Sequence, residues 1–306
     1  MDYLNVPYTV LCPSLPVNGR TVKDGDLYVN GILLAESPMK CHPLNPMWDS
    51  HIPTLMKEQS KYQSYIANQN TVDKKLDELC KSGKKFYIVP DYVNDKDGKN
   101  ITEVFKNLSL YTGGSGLLEH LDLGDSIAPQ QDVTLKSSEN AVILCGSCSQ
   151  MTGKQIKNFV AKENPSIRID SSELLSGNIT AEKVFAEVVQ NLPRTTIVYS
   201  DGVEKDMKSF SKTESFEKLS SMIEKLHADL SEMALKNGFD RIVVAGGETS
   251  GAVTIRLGYQ AYQIGRVIAP GVPTLMPVDN KGLRLVLKSG NFGDESFFTK
   301  ALALEK

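Results

Sequence analysis

Two rhythms alternate along this chain: short apolar runs rich in β-branched residues, and longer stretches where apolar side chains recur every three or four positions. Tyr8, Thr9, Val10, Leu11 and Cys12 form a run of the first kind, stopped by Pro13 as a buried strand would be. Residues 26–36 hold two short β-prone runs around Asn30-Gly31, the strongest short-range hairpin signal. Residues 50–61 and 71–82 have helical spacing. In the second, Val72, Leu76 and Leu79 share one stripe, and Gly83 stands just past its end. A strand over 84–90 follows, then a polar turn over 95–100 and a helix over 101–110.

Residues 130–140 are polar and aperiodic, which predicts a linker. Beyond it the alternation is cleaner. Strands are predicted over 141–145, 166–170, 195–200, 241–245 and 283–287, and helices over 152–162, 180–192, 213–236 and 250–257. The longest helix spaces Leu219, Met222, Ile223, Leu226, Leu230 and Met233 mostly by three and four, and Asn237-Gly238 supplies a left-handed cap. Strands alternating with crossover helices predict an α/β protein with mainly parallel sheets flanked by helices. The expected division is a domain over 1–129, a linker over 130–140 and a second domain over 141–306. In such sheets ligands sit beyond the C-terminal ends of the strands.

Composition narrows the function classes. A net charge of −3, with no stripe of Lys or Arg, argues against nucleic acid as a partner. No apolar run is long enough to span a bilayer, and the first residues have no signal-peptide pattern. Five cysteines, an odd number scattered over the chain, suit a reducing cytoplasm. Cys145 and Cys148 form a lone C-x-x-C, poor evidence for zinc; it reads as small residues in a strand-to-helix turn, with thioredoxin-like redox chemistry the lesser alternative. The four histidines lack metal-ligand spacing, His42 in its Pro-rich loop included, so no resident metal site is expected.

Three glycine-rich turns near the C-terminus change the picture: Gly246-Gly247-Glu248-Thr249-Ser250-Gly251, Pro270-Gly271-Val272-Pro273 and Lys288-Ser289-Gly290-Asn291-Phe292-Gly293. Glycine lets backbone N–H groups approach an anion, and Ser or Thr hydroxyls add donors. The first turn enters a helix whose free N–H groups and dipole favour an anion, although it is neither a Walker A loop nor a G-x-G-x-x-G fingerprint. Gly146-Ser147-Cys148-Ser149 is a further strand–loop–helix junction with hydroxyls, and Thr112-Gly113-Gly114-Ser115-Gly116 is expected to follow a helix. Together they predict a nucleotide-phosphate pocket. Lys288 either neutralises phosphate charge or is a strand-end lysine. Glu248 either holds Mg²⁺, directly or through water, or orients its loop. In the first half, Asn18-Gly19-Arg20 sets a planar guanidinium beside an amide, a fork suited to a small carboxylate.

These strings, together with Glu36-Ser37-Pro38-Met39, His42-Pro43-Leu44 and Pro46-Met47, occur in the order seen in the four-carbon acid sugar kinases, and the chain most resembles their 3-oxo-tetronate kinase branch. The resemblance spans essentially all 306 residues. It implies an N-terminal acid-sugar domain, a C-terminal nucleotide domain, and ATP phosphorylating the terminal hydroxyl of a tetronate. The implied ATP contacts are Ser149, Gly246, Gly247, Glu248, Thr249, Lys288, Gly290 and Gly293; Asn18, Gly19 and Arg20 would face the acid sugar. One departure stands out. Family members begin with a strand running into an Asp-Asp-Phe-Thr-Gly segment, and no such string is present. The resemblance therefore leads us to expect an incomplete acid-sugar domain, no assignable catalytic base and weak activity alone. Three readings follow: a truncated gene, a split enzyme completed by a second chain, or a nucleotide-binding remnant. A further possibility is a structural role, with residues 8–12 pairing with another chain's strands.

Overall fold

The computed structural model describes residues 1–41, 45–68, 72–121, 140–147, 149–200 and 213–303. They fall into two compact units, Met1–Ala128 and Pro129–Lys306. Residues 130–139 of the expected linker over 130–140, together with His42, Pro43, Leu44 and Cys148, lie outside the described residues.

The first unit runs β1 (Tyr8–Cys12), β2 (Arg20–Lys23), β3 (Asp26–Val29), β4 (Ile32–Leu33), α1 (Ile52–Lys57), β5 (Gln63–Ala67), α2 (Val72–Lys81), β6 (Phe86–Pro90), α3 (Asp95–Phe105) and β7 (Tyr111–Gly113). Its main sheet has the order β5-β6-β1-β7, with every pair parallel. β1 reads as an unbroken apolar run because both faces are covered. Val10 and Cys12 join Ile88, Ile101 and Phe105 on one side; Leu11 joins Val22, Leu34 and Val89 on the other. Both of its edges are already paired, so β1 offers no open edge for strands from another chain. β2, β3 and β4 form a small antiparallel sheet, and Asn30 and Gly31, at φ 52° and 79°, make the expected tight turn.

Three expectations need correction here. The helix over 50–61 is only one and a half turns long, because the chain leaves it to build β5, an edge strand whose polar start hides it. The helix over 101–110 begins instead at Asp95. Asn94 accepts from the backbone N–H groups of Lys96 and Asp97, and Asp97 reaches back to the Asn94 N–H, so a capping box turns a polar stretch into a helix start. The glycine segment at 112–116 ends β7 and does not leave a helix, with Thr112 and Gly113 still in the strand. A Cβ on Gly113 would stand 2.2 Å from the Cys12 carbonyl oxygen, and one on Gly116 2.1 Å from that of Ser14. Close approach to the chain leaving β1 demands glycine there.

The second unit runs β8 (Ala141–Cys145), α4 (Gln150–Val160), β9 (Ser166–Ile169), α5 (Ser171–Leu175), α6 (Ala181–Gln190), β10 (Thr196–Ser200), α7 (Thr213–Lys236), β11 (Arg241–Ala245), α8 (Gly247–Leu257), β12 (Tyr262–Ala269), β13 (Val272–Pro277), β14 (Arg284–Lys288) and α9 (Phe297–Ala303). The sheet order is β12-β13-β14-β11-β8-β10-β9. The five strands from β14 to β9 are parallel, and β13 is antiparallel to both neighbours. α4 and α9 cover one face, against Ile143, Val243 and Val286. α6, α7 and α8 cover the other, against Val142, Leu144 and Val244. Parallel sheets flanked by helices are thus the architecture of both units, as the alternation predicts.

Candidate functional site

β8 and β11 are neighbours, yet the helices that follow them leave on opposite faces, α4 on one and α8 on the other. Such a divergence opens a crevice at the C-terminal ends of the two strands, the place where α/β sheets bind ligands. Gly146 directly follows β8 and Gly246 directly follows β11. Their backbones interlock: the Gly146 N–H donates to Ala245 O at 3.1 Å, and the Gly246 N–H to Lys288 O at 2.8 Å. The three strand ends carrying the predicted turns therefore meet at one point.

α8 begins at Gly247, earlier than the predicted 250, so the glycine turn is itself the first turn of the helix. Gly246 holds φ 128°, open to glycine and strained for other residues. The N–H groups of Gly247, Glu248 and Thr249 belong to a first turn, which has no intrahelical acceptors for them. Thr249 is buried and packs on the β8 turn, where a Cβ on Gly146 would meet its Oγ1 at 2.2 Å. Glu248 is exposed at the same helix start.

Ser149 caps α4, accepting from the Thr152 N–H at 3.1 Å and donating to Gly290 O at 2.6 Å. Thr152 Oγ1 also lies 2.8 Å from Gly290 O. Lys288 is fully buried, and its ammonium donates to Gly290 O (2.7 Å), Thr152 Oγ1 (3.0 Å) and Ser289 O (3.2 Å). Burial pulls its pKa down to about 8, while the neighbouring Cys145 opposes the shift. Its three donors are all in use. Desolvation pushes the Cys145 thiol well above its ordinary value, the opposite of what redox chemistry needs. A Cβ on Gly290 would stand 2.6 Å from Ser147 Oγ, and Gly293 has φ 76° with its own ring neighbour, Phe297.

Ser149, Gly246, Gly247, Glu248, Thr249, Lys288, Gly290 and Gly293 are thus brought to one edge of one sheet. The Pro270-Gly271 turn joins β12 to β13 at that same edge, three residues beyond the Thr274–Val286 pair. Sequence reasoning missed Thr152 and Gln155, both fully buried on α4; Gln155 Nε2 donates to Phe292 O at 3.0 Å and Asp294 O at 2.9 Å. Their signal was available: polar residues at i and i+3 on the stripe that continues to Phe159.

In the first unit, Asn18 ends a short 3₁₀ turn and Gly19 follows at φ 69° with its carbonyl accepting from the Asn30 N–H at 2.7 Å. Arg20 starts β2 and lines a cavity of about 230 Å³ with Gln59 and an otherwise apolar wall that includes Leu11, Leu34 and Met56. Among the described residues, Arg20 has no ion pair, and Asn18 Nδ2 is buried without a hydrogen-bond acceptor. No group of three or more His, Cys, Asp or Glu side chains converges on a metal position among the described residues. No described helix is long and apolar enough to cross a membrane.

Comparison with known proteins places both units. A family of nucleotide-binding C-terminal domains matches residues 142–298, and one of sugar-binding N-terminal domains matches residues 1–121. A Brucella melitensis protein named 3-oxo-tetronate kinase is 37% identical over 98% of this chain and 72% of its own length. The chain belongs to the four-carbon acid sugar kinase family. A 3-oxo-tetronate kinase of Salmonella typhimurium is 35% identical over 98% of this chain and 74% of its own. A solved structure from that organism superposes with a TM-score of 0.78 at 36% identity, covering 98% of this chain and 74% of that one. A Haemophilus influenzae structure gives 0.68 at 33% identity, covering 100% and 76%. This acid sugar kinase chain therefore carries the family's nucleotide-binding domain on the unit whose strand ends form the crevice.

Proposed function

We propose that the chain transfers the γ-phosphoryl group of ATP to the terminal hydroxyl of a four-carbon acid sugar, 3-oxo-tetronate or a related tetronate. The observation that carries this reading is the meeting of β8, β11 and β14 at a crevice edged by a helix start, a capped second helix and a glycine loop. Phosphoryl transfer asks a protein mainly for positioning and for charge stabilisation. First-turn amides of α8 and the loop after β14 supply fixed partial positive charge where the phosphates would lie, without reorganisation at the moment of reaction.

Ser149, Gly246, Gly247, Glu248, Thr249, Gly290 and Gly293 form the nucleotide-binding set in this reading, with Lys288 beneath them. Mg²⁺ would arrive with the nucleotide and spread the charge of the transferring group; Glu248, exposed beside the helix start, is the carboxylate placed to hold it or one of its waters. In the first unit, Arg20 would take the substrate carboxylate. Its guanidinium lacks a protein anion among the described residues, and a bidentate pair there fixes orientation as well as charge. The first unit, Met1–Ala128, then serves the acid sugar and the second, Pro129–Lys306, the nucleotide.

Two measurements test the proposal. Calorimetry should detect ADP binding, and an ADP-release assay should show turnover that depends on 3-oxo-tetronate. Binding without turnover on any tetronate would reduce the chain to a nucleotide-binding module. Absence of ADP binding would remove the reading altogether.

A further inference from the structure

The loop that follows β14 turns its oxygens towards one helix. Gly290 O receives Lys288 Nζ at 2.7 Å, Ser149 Oγ at 2.6 Å and Thr152 Oγ1 at 2.8 Å. Phe292 O and Asp294 O both receive Gln155 Nε2. Alternate carbonyls, at 290, 292 and 294, are therefore tied to α4 or to the lysine beside it. Lys288, Thr152 and Gln155 are each fully buried, so these bonds are made away from water.

Peptide geometry fixes what the other side of the loop must present. A trans peptide is planar, and its N–H points opposite to its C=O. The peptides of this loop are trans; the cis bond among the described residues is Leu192–Pro193. With Gly290 O turned to Lys288, the N–H of Asn291 points away from it. With Phe292 O turned to Gln155, the N–H of Gly293 points away from α4. Neither amide has a hydrogen-bond partner among the described residues. Two unpaired amides, turned away from α4 and its lysine, in a loop that passes through positive φ at Gly293 are donors of the kind from which backbone anion sites are built.

We propose that Lys288 is a positioning residue and not a phosphate contact: by holding the Gly290 carbonyl inward it presents the Asn291 and Gly293 amides to the phosphates of the nucleotide. The inference rests on the nucleotide reading given above. A lysine aimed at a ligand keeps donors free for it, whereas this ammonium spends all three on Gly290, Thr152 and Ser289. Its other near neighbours are the Phe297 ring, 5.7 Å from Nζ, and the neutral Cys145 thiol. No carboxylate faces it among the contacts described. Repelling carbonyl oxygens are thereby kept from the anion, and the cation acts through the peptide unit it orients.

The test compares ADP with adenosine, which lacks the phosphates, by competition calorimetry on the full chain. Lys288→Met keeps the aliphatic stem and removes the ammonium. Asn291→Pro removes one outward N–H and leaves the lysine in place. Both variants should weaken ADP by about 10- to 100-fold, the range of a lost charge-assisted hydrogen bond, with adenosine affinity within about twofold of wild type. An Asn291→Pro variant that binds ADP normally would overturn the inference, since the amide would then not be the contact. Equal weakening of ADP and adenosine in Lys288→Met would also overturn it, leaving a lysine that merely supports the fold. A wild-type chain that binds neither ligand sinks the nucleotide reading itself, a result distinct from both.

Discussion

A Cβ placed on Gly146 would stand 2.2 Å from Thr249 Oγ1, so the turn after β8 and the first turn of α8 touch with no room for a methyl group. Thr249 is buried and β-branched, and it has little freedom to retreat. Gly146→Ala should therefore destabilise the second unit by about 1–3 kcal/mol, as overpacking does. Adding Thr249→Ala should recover much of that loss, a non-additivity expected of residues in contact. Urea midpoints of the two single variants and the double variant measure it; strictly additive losses would mean the two turns are not in contact.

Ser149 joins two tasks in one hydroxyl. It accepts from the Thr152 N–H as the cap of α4 and donates to Gly290 O. Removing a cap costs about 1 kcal/mol. Ser149→Ala should lower stability by about that amount and should also weaken ADP, because the loop after β14 loses one of its ties. Ser149→Thr, which keeps the hydroxyl, should restore both. A stability loss with unchanged ADP affinity would separate the cap from the loop.

Arg20 is the cationic side chain on the wall of its cavity. If it receives the substrate carboxylate, Arg20→Met should raise KM for the tetronate by about tenfold or more and leave ADP affinity unaltered. Unchanged KM would show that the carboxylate is held elsewhere.

The depressed pKa of Lys288 gives a pH dependence with a definite sign. Its folded value of about 8 lies below the ordinary 10.5, so the unfolded chain binds the proton more tightly. Burial of the charge then costs stability below about pH 8. That cost is relieved as pH rises from the folded to the unfolded value, by up to about 3 kcal/mol. The measurement is the difference between wild type and Lys288→Met, which isolates this one group. Stability of wild type relative to the variant should rise between pH 8 and 10, while ADP affinity falls as the ammonium clamp weakens. A difference that stays flat with pH would place the lysine's proton outside this balance.

What the sequence made legible follows burial. Ala141–Cys145 and, after Arg241, Ile242–Ala245 are covered on both faces and appear as uninterrupted apolar runs, so the pattern locates both strands. Tyr262–Ala269 and Val272–Pro277 were not read as strands. The first lies at the sheet edge, half exposed, with Gly265 and Arg266 breaking its pattern, and the second carries two prolines. Gln63–Ala67 escaped for a similar reason. At the site, glycines at strand ends announced themselves, because a backbone need is written in the residue type. Thr152 and Gln155 did not, since their partners lie 138 and 137 residues further along. The inward turn of Lys288 was equally hidden: a long flexible stem can serve a buried carbonyl or a ligand, and only packing decides.

The ties at 290, 292 and 294 have a mechanical consequence. Each runs to α4 or to a strand-end lysine that is itself bonded to α4 through Thr152. The loop therefore has no hinge of its own against that helix. Any displacement of α4 drags the Asn291 and Gly293 amides with it, and anything that stiffens α4 stiffens them. The helix is a handle on the proposed anion site, reachable from its exposed side without touching the crevice.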